Sequence, residues 1–227
     1  MRLFARLAAP LAALLMLTAC GGFRDDLTKP PTPIGHFLLG YNIVVAEDPQ
    51  KGPFSRDATP DEWIKAVHDA IDTRFKRFDG DQYYHIAVAV QGYVLAQPGI
   101  PLIYSPKSVL IFSVTFYEDA TQRKINEEPI QLTVFEPCCG VPFLGSGNTK
   151  SAQEQMEGLA FNAAKAIERL MRKHADWFGG TPEDVGNDRT IVEGNVLVDN
   201  PGAVVPRGAL NQVQQQAQQQ QGQQPAN

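Results

Sequence analysis

The chain has 227 residues, with 20 Lys and Arg against 25 Asp and Glu, a net charge of −5 and 43% hydrophobic residues. That balance argues against a nucleic-acid binder, which needs a basic surface. The length suffices for one good hydrophobic core with appended segments.

The N-terminus reads as an export signal. Arg2 and Arg6 precede 13 uncharged residues, 7–19. At 1.5 Å per residue this run is too short to span roughly 30 Å of hydrocarbon. It closes on small residues, as a cleavable leader does. The closing Leu17-Thr18-Ala19-Cys20 resembles the lipobox of bacterial lipoprotein precursors. The resemblance implies cleavage before Cys20, a diacylglycerol on its thiol and a further acyl chain on the new amino group. Several acyl chains at about 0.8 kcal/mol per buried CH₂ make a stable membrane tether. Loss of residues 1–19 removes two positive charges and takes the net charge from −5 to −7. Gly21 is not an acid, and within such lipoproteins that points to the outer rather than the inner membrane. The acylated cysteine and a proline-bearing linker occupy residues 20–34, a stand-off from the bilayer.

Residues 36–47, HFLLGYNIVVAE, are apolar and β-branched enough for a strand. A helix starts at Thr59, with Pro60 at its first position and Glu62 three residues after the cap. Trp63, Ala66, Val67, Ala70, Ile71, Phe75 and Phe78 then form one apolar stripe. Three strands follow, at 83–96, 108–118 and 129–136, the last two joined by a polar connection of hairpin character. A second helix opens on another capping box, Ser151 and Glu154, and is expected to run to Phe178, before Gly179-Gly180. Residues 190–198 read as one short strand in an extension, 179–210. The tail from 211 to 227 holds ten glutamines between 211 and 224 and is expected to be disordered.

The order β-α-β-β-β-α over 35–178 predicts an α+β two-layer sandwich: a four-stranded, mainly antiparallel sheet with both helices on one face. Strict alternation assigns Ile43, Val45, Ile86, Val88, Val90, Val94, Leu110, Phe112, Val114, Phe116, Ile130, Leu132 and Val134 to the helix side. The other face is semi-apolar rather than polar. On it, Val44, Ala89, Tyr93, Ile111, Thr115, Tyr117 and Phe135 form the candidate partner or ligand surface. Cover by the C-terminal extension is the simpler account of that face.

The lipobox, linker and element order together resemble two groups of envelope lipoproteins. One is the lipopolysaccharide-assembly lipoprotein that sits inside an outer-membrane barrel; the other comprises the auxiliary lipoproteins of lipid-trafficking ABC transporters. The resemblance implies a non-catalytic accessory with an envelope protein partner, and it transfers no site residue.

A search for chemistry finds no enzyme constellation, metal set or cofactor motif. Cys138 and Cys139 are adjacent, unlike a Cys-x-x-Cys pair. In an oxidising envelope they are candidates for a vicinal disulfide stiffening the turn before the second helix. Redox sensing or metal binding is the alternative use. FLGSGN, 143–148, lacks the Lys-Ser/Thr of a phosphate loop and the elbow of a serine hydrolase. His36, His68, His85 and His174 fall in separate elements without ligand spacing. The sequence therefore predicts a lipid-anchored interaction accessory facing the periplasm. A carrier for a lipid or other apolar molecule is the alternative, and an envelope enzyme the least supported.

Overall fold

The computed structural model describes residues 27–99, 107–136, 146–183, 191–193, 197–200 and 203–205. The chain divides into two units, Met1–Thr32 and Pro33–Asn227. The first is described only at residues 27–32; every element below belongs to the second.

Strand β1, Phe37–Val45, leads through the two-residue β2, Gln50–Lys51, to helix α1, Pro60–Phe75. Strands β3, Gln82–Val94, and β4, Val109–Glu118, follow, then the short β5, Arg123–Lys124, and β6, Ile130–Phe135. A single turn, α2, Ser146–Thr149, precedes the long helix α3, Ala152–Lys173. The last described elements are β7, Ile191–Glu193, and a separate hairpin, β8, Leu197–Asn200, with β9, Ala203–Val205. The main sheet has the order β1-β3-β4-β6-β7, with β2 on β3 and β5 on β4. Only β1 and β2 run parallel to β3; the pairs β3–β4, β4–β6 and β6–β7 are antiparallel. A parallel pair needs a crossover, and α1 supplies it between β1 and β3.

The α+β sandwich expected from the sequence is therefore present, with more strands than four. The stretch 190–198 is two strands rather than one: β7 extends the main sheet beside β6, and β8 turns to β9. The second helix also stops earlier than its apolar pattern suggests. It ends at Lys173; a 3₁₀ turn, Ala175–Phe178, carries the chain on to Gly179 at φ 74°. That positive φ suits glycine, which closes the turn without Cβ strain.

Both helix starts form the expected capping boxes. The Thr59 hydroxyl accepts from the Glu62 N–H and the Glu62 carboxylate accepts from the Thr59 N–H; Ser151 and Glu154 repeat the arrangement. Those backbone and hydroxyl donors hold both carboxyls below the usual carboxylate range. A carboxyl with a lowered folded pKa adds stability above its unfolded pKa and loses it as the pH falls through the folded value. Acidification from about pH 7 to about pH 3 should therefore lower the melting temperature more in the parent than in Glu62→Gln/Glu154→Gln. Equal losses in the two proteins would contradict the capping account.

The core lies between the sheet and the two long helices. Trp63, Val67, Ile71 and Phe75 of α1 and Leu159, Ala163, Ile167 and Met171 of α3 are fully buried against Ile86, Leu110, Phe112, Val114, Phe116 and Val134. Small Ala160, Ala163 and Ala164 let α3 approach its neighbours closely. The connection after β4 is tied down by buried Asn126. Its Oδ1 accepts from the Phe116 N–H at 2.8 Å and its Nδ2 donates to the carbonyls of Val114 and Glu128.

Two bulges break the alternation that the sequence implies. In β1, Leu39 lies opposite Tyr84 and Asn42 opposite Ile86, so Gly40 and Tyr41 together face the single residue His85. In β3, Val90 pairs with Phe112 and Gly92 with Ile111, leaving Gln91 as the extra residue. Each extra residue exchanges the two faces of its strand from that point on. Val44 is accordingly 8% exposed, while Ile43 is 53% exposed. Tyr93 likewise turns inward and Val94 outward.

Candidate docking face

Among the described residues no helix packs on the far side of the sheet. Its strand pairings place side chains in rows. Ile43 lies beside Ala87 and Thr115; Val45 lies beside Ala89, Ser113 and Gln131. Ser113, Thr115 and Thr133 are sunk into the floor, each 7% exposed. Around one side stand larger groups that are open to solvent: Tyr41 at 70%, Tyr83 at 55%, Ile43 at 53% and Val45 at 42%. Three of the four come from β1, which is an edge of the sheet. Exposed large apolar side chains gathered at one place are informative in a way that scattered ones are not.

His85 holds that edge in position. Its Nδ1 accepts from the Tyr41 N–H at 2.9 Å, and its Nε2 lies 3.0 Å from Asp119 Oδ1. The Tyr41 ring covers it, with centroids 5.0 Å apart. An accepting Nδ1 leaves the ring proton on Nε2, which donates to Asp119. Neither nitrogen is then available to abstract a proton, so the pair organises the bulge rather than forming a general base. Gly40 is required here by packing, because a Cβ at that position would lie 2.5 Å from the His85 ring.

Five of the seven residues expected on this face are there, and four of them, Ala89, Ile111, Tyr117 and Phe135, are half-buried. Thr115 is also on the face but almost closed to solvent. Val44 and Tyr93 are not on it. Val44 belongs to the core cluster, and Tyr93 packs on Trp63 with ring centroids 5.2 Å apart. The Tyr93 hydroxyl donates to the Ala58 carbonyl at 2.9 Å. Strict alternation missed Tyr41, Ile43 and Val45 because it ignored the bulges. The available signal was a glycine inside each strand, Gly40 and Gly92, a common mark of a bulge.

Cys20, Cys138 and Cys139 lie outside the described residues. His36 meets Asp81 at 2.7 Å, and His174 stacks on Trp177 at 4.3 Å between centroids. His68 lies 3.6 Å from Asp69. Among the described residues no three His, Cys, Asp or Glu side chains gather as a metal site. Nor is any helix among them long and apolar enough to cross a membrane.

No protein-family model and no curated protein matches the chain. Three solved structures are similar to the chain at low identity. A candidate lipoprotein from Caulobacter crescentus CB15 is 14% identical, with a TM-score of 0.33, over 60% of this chain and 88% of that one. A Xanthomonas campestris protein of the family DUF330 is 14% identical, with a TM-score of 0.36, over 61% and 85%. A minor lipoprotein from Acinetobacter baumannii is 17% identical, with a TM-score of 0.25, over 60% and 92%. Similarity at this level defines neither the family nor the function of the chain.

Proposed function

We propose that this chain is a lipid-anchored envelope protein that performs no chemistry and docks a protein partner on the sheet face opposite α1 and α3. The observation that carries the reading is the cluster of Tyr41, Ile43, Val45 and Tyr83, all open to solvent on one side of that face. Leu17-Thr18-Ala19-Cys20 supplies the tether, and the neutral Gly21 favours the outer membrane. A docking surface needs such side chains exposed, whereas a carrier would enclose them.

A photo-crosslinking residue at Ile43, with one at exposed Asp61 on α1 as control, tests the reading in intact membranes. The expected result is a discrete protein adduct from position 43 and none from 61, with the same partner binding again when both are purified. Lipid adducts alone at 43 would replace docking with the carrier function. Cys20→Ala, checked by fractionation, should release the protein from the membrane while leaving its melting temperature unchanged.

A further inference from the structure

The outer edge of β1 is unusual in what it lacks. Sheet edges present unpaired N–H and C=O groups, and proteins usually blunt them with charge, proline, shortness or distortion. Phe37–Val45 contains neither a charged residue nor a proline over nine residues. Its bulge lies at Gly40-Tyr41, and from Asn42 to Val45 the strand runs in regular register against β3. Along that regular stretch Ile43 and Val45 are exposed at alternate positions. The opposite edge, β7, has only three residues.

Charge then narrows what can lie there. Glu47 and Asp48 follow the strand after one residue, Ala46, and are exposed. Neither forms an ion pair among the described residues, whereas the nearby Lys51 is held by Asp57 at 2.7 Å. A second copy of the strand fits this edge poorly. Parallel pairing would set Glu47 and Asp48 against the same acids, and antiparallel pairing centred on the strand would set them against Gly35 and Ile34.

We propose that β1 receives an added strand from another protein. The incoming segment is extended, apolar at every second residue and basic at the end that reaches Glu47 and Asp48. Main-chain hydrogen bonds give such an addition its affinity, and alternate side chains with the terminal charge give it selectivity. This inference rests on the docking function proposed above and specifies its mode.

The test uses the full lipidated chain in detergent micelles and three synthetic peptides. The first is two lysines followed by three Thr-Val repeats; the second has glutamates in place of the lysines. The third is the lysine peptide N-methylated throughout the repeats, which keeps its side chains and removes its donors. The expected result is at least tenfold slower amide exchange within residues 42–46 in the presence of the lysine peptide. Binding should be at least tenfold weaker for the glutamate peptide and lost for the methylated one. Glu47→Lys/Asp48→Lys, which changes only exposed residues, should reverse the preference between the charged peptides.

Equal binding of the methylated peptide, with exchange slowed at Ala87, Ala89 and Ile111 but not in β1, would overturn strand addition and leave docking on the face intact. Absence of binding by all three peptides would overturn strand addition as well, with the crosslink at Ile43 deciding the docking function separately. Protection of residues 42–46 that grows with protein concentration alone would assign the edge to a second copy and refute the proposal.

Discussion

Replacing Glu168 with alanine should destabilise the protein by about 3–5 kcal/mol, the usual cost of leaving one member of a buried ion pair behind. Glu168 joins the two long helices. One carboxylate oxygen accepts from Arg74 of α1 at 2.7 Å, and the other accepts twice from Arg172, at 2.7 and 3.0 Å. The Arg74 side chain is 3% exposed and those of Glu168 and Arg172 are 13% exposed, so water compensates little for a lost partner. The guanidinium of Arg74 also lies 5.0 Å from the centre of the Phe161 ring. Arg169 is close enough to feel both charges; burial and Arg74 lower its pKa while Glu168 opposes them. Without Glu168 the three guanidinium groups remain together, and Arg172 keeps the more exposed Glu183 at 3.4 Å.

Urea denaturation of the parent and of Glu168→Ala measures the loss. A change below roughly 1 kcal/mol would mean that the cluster behaves as a solvated surface pair. The triple variant Arg74→Met/Glu168→Leu/Arg172→Met separates the bonded cluster from the space it fills. It should recover much of the stability, because apolar side chains of similar volume often replace a buried pair at little cost.

Phe37→Ala should destabilise by a similar amount, about 3–5 kcal/mol, and should free β1 first. Phe37 is 1% exposed, and its ring is surrounded by those of Phe75, Phe78, Tyr84 and Phe178, with centroids 5.6–5.9 Å away. Three of these contacts are edge-on, the geometry that the ring quadrupoles favour. One side chain thereby ties the start of β1 to the end of α1, to β3 and to the 3₁₀ turn. The backbone closes the same junction: the His36 N–H donates to the Phe178 carbonyl at 2.7 Å, and Gly35 sits at φ 52° against it. Hydrogen exchange at subdenaturing urea should show the amides of 37–45 losing protection ahead of those in β4. Simultaneous loss in both strands would mean that Phe37 serves the whole core and not the edge.

The Phe37 cluster bears on the proposed docking function through β1. The candidate docking stripe stands on an edge strand whose one flank is fixed to β3, while its start is held by the Phe37 cluster. A partner docking there, as proposed, would meet a preset surface, because Tyr41 is already oriented by His85.

Much of this architecture was readable in the residues, for local reasons. Thr59-Pro60 with Glu62 and Ser151 with Glu154 satisfy the first N–H groups of a helix wherever they occur, and both helices begin there. The apolar stripes of α1 and α3 and the β-branched runs of β3, β4 and β6 specify element type because each must bury one side. The site was less legible. Its floor residues Ala89 and Ile111 follow from alternation, but Val44 and Tyr93 fall on the wrong side of it.

The sequence alone determined the kinds of elements, their order and the one-sided helices, since capping and periodicity act over a few residues. Tertiary structure decided which side chains reach solvent. A single extra residue in a strand exchanges its faces, and whether Gly40 and Gly92 mark such residues depends on partners distant in sequence: His85 for the first, Phe112 and Ile111 for the second. The joining of α1 to α3 through Arg74 and Glu168 was settled at the same level, because residues 94 positions apart meet only once the sheet has set both helices on one face.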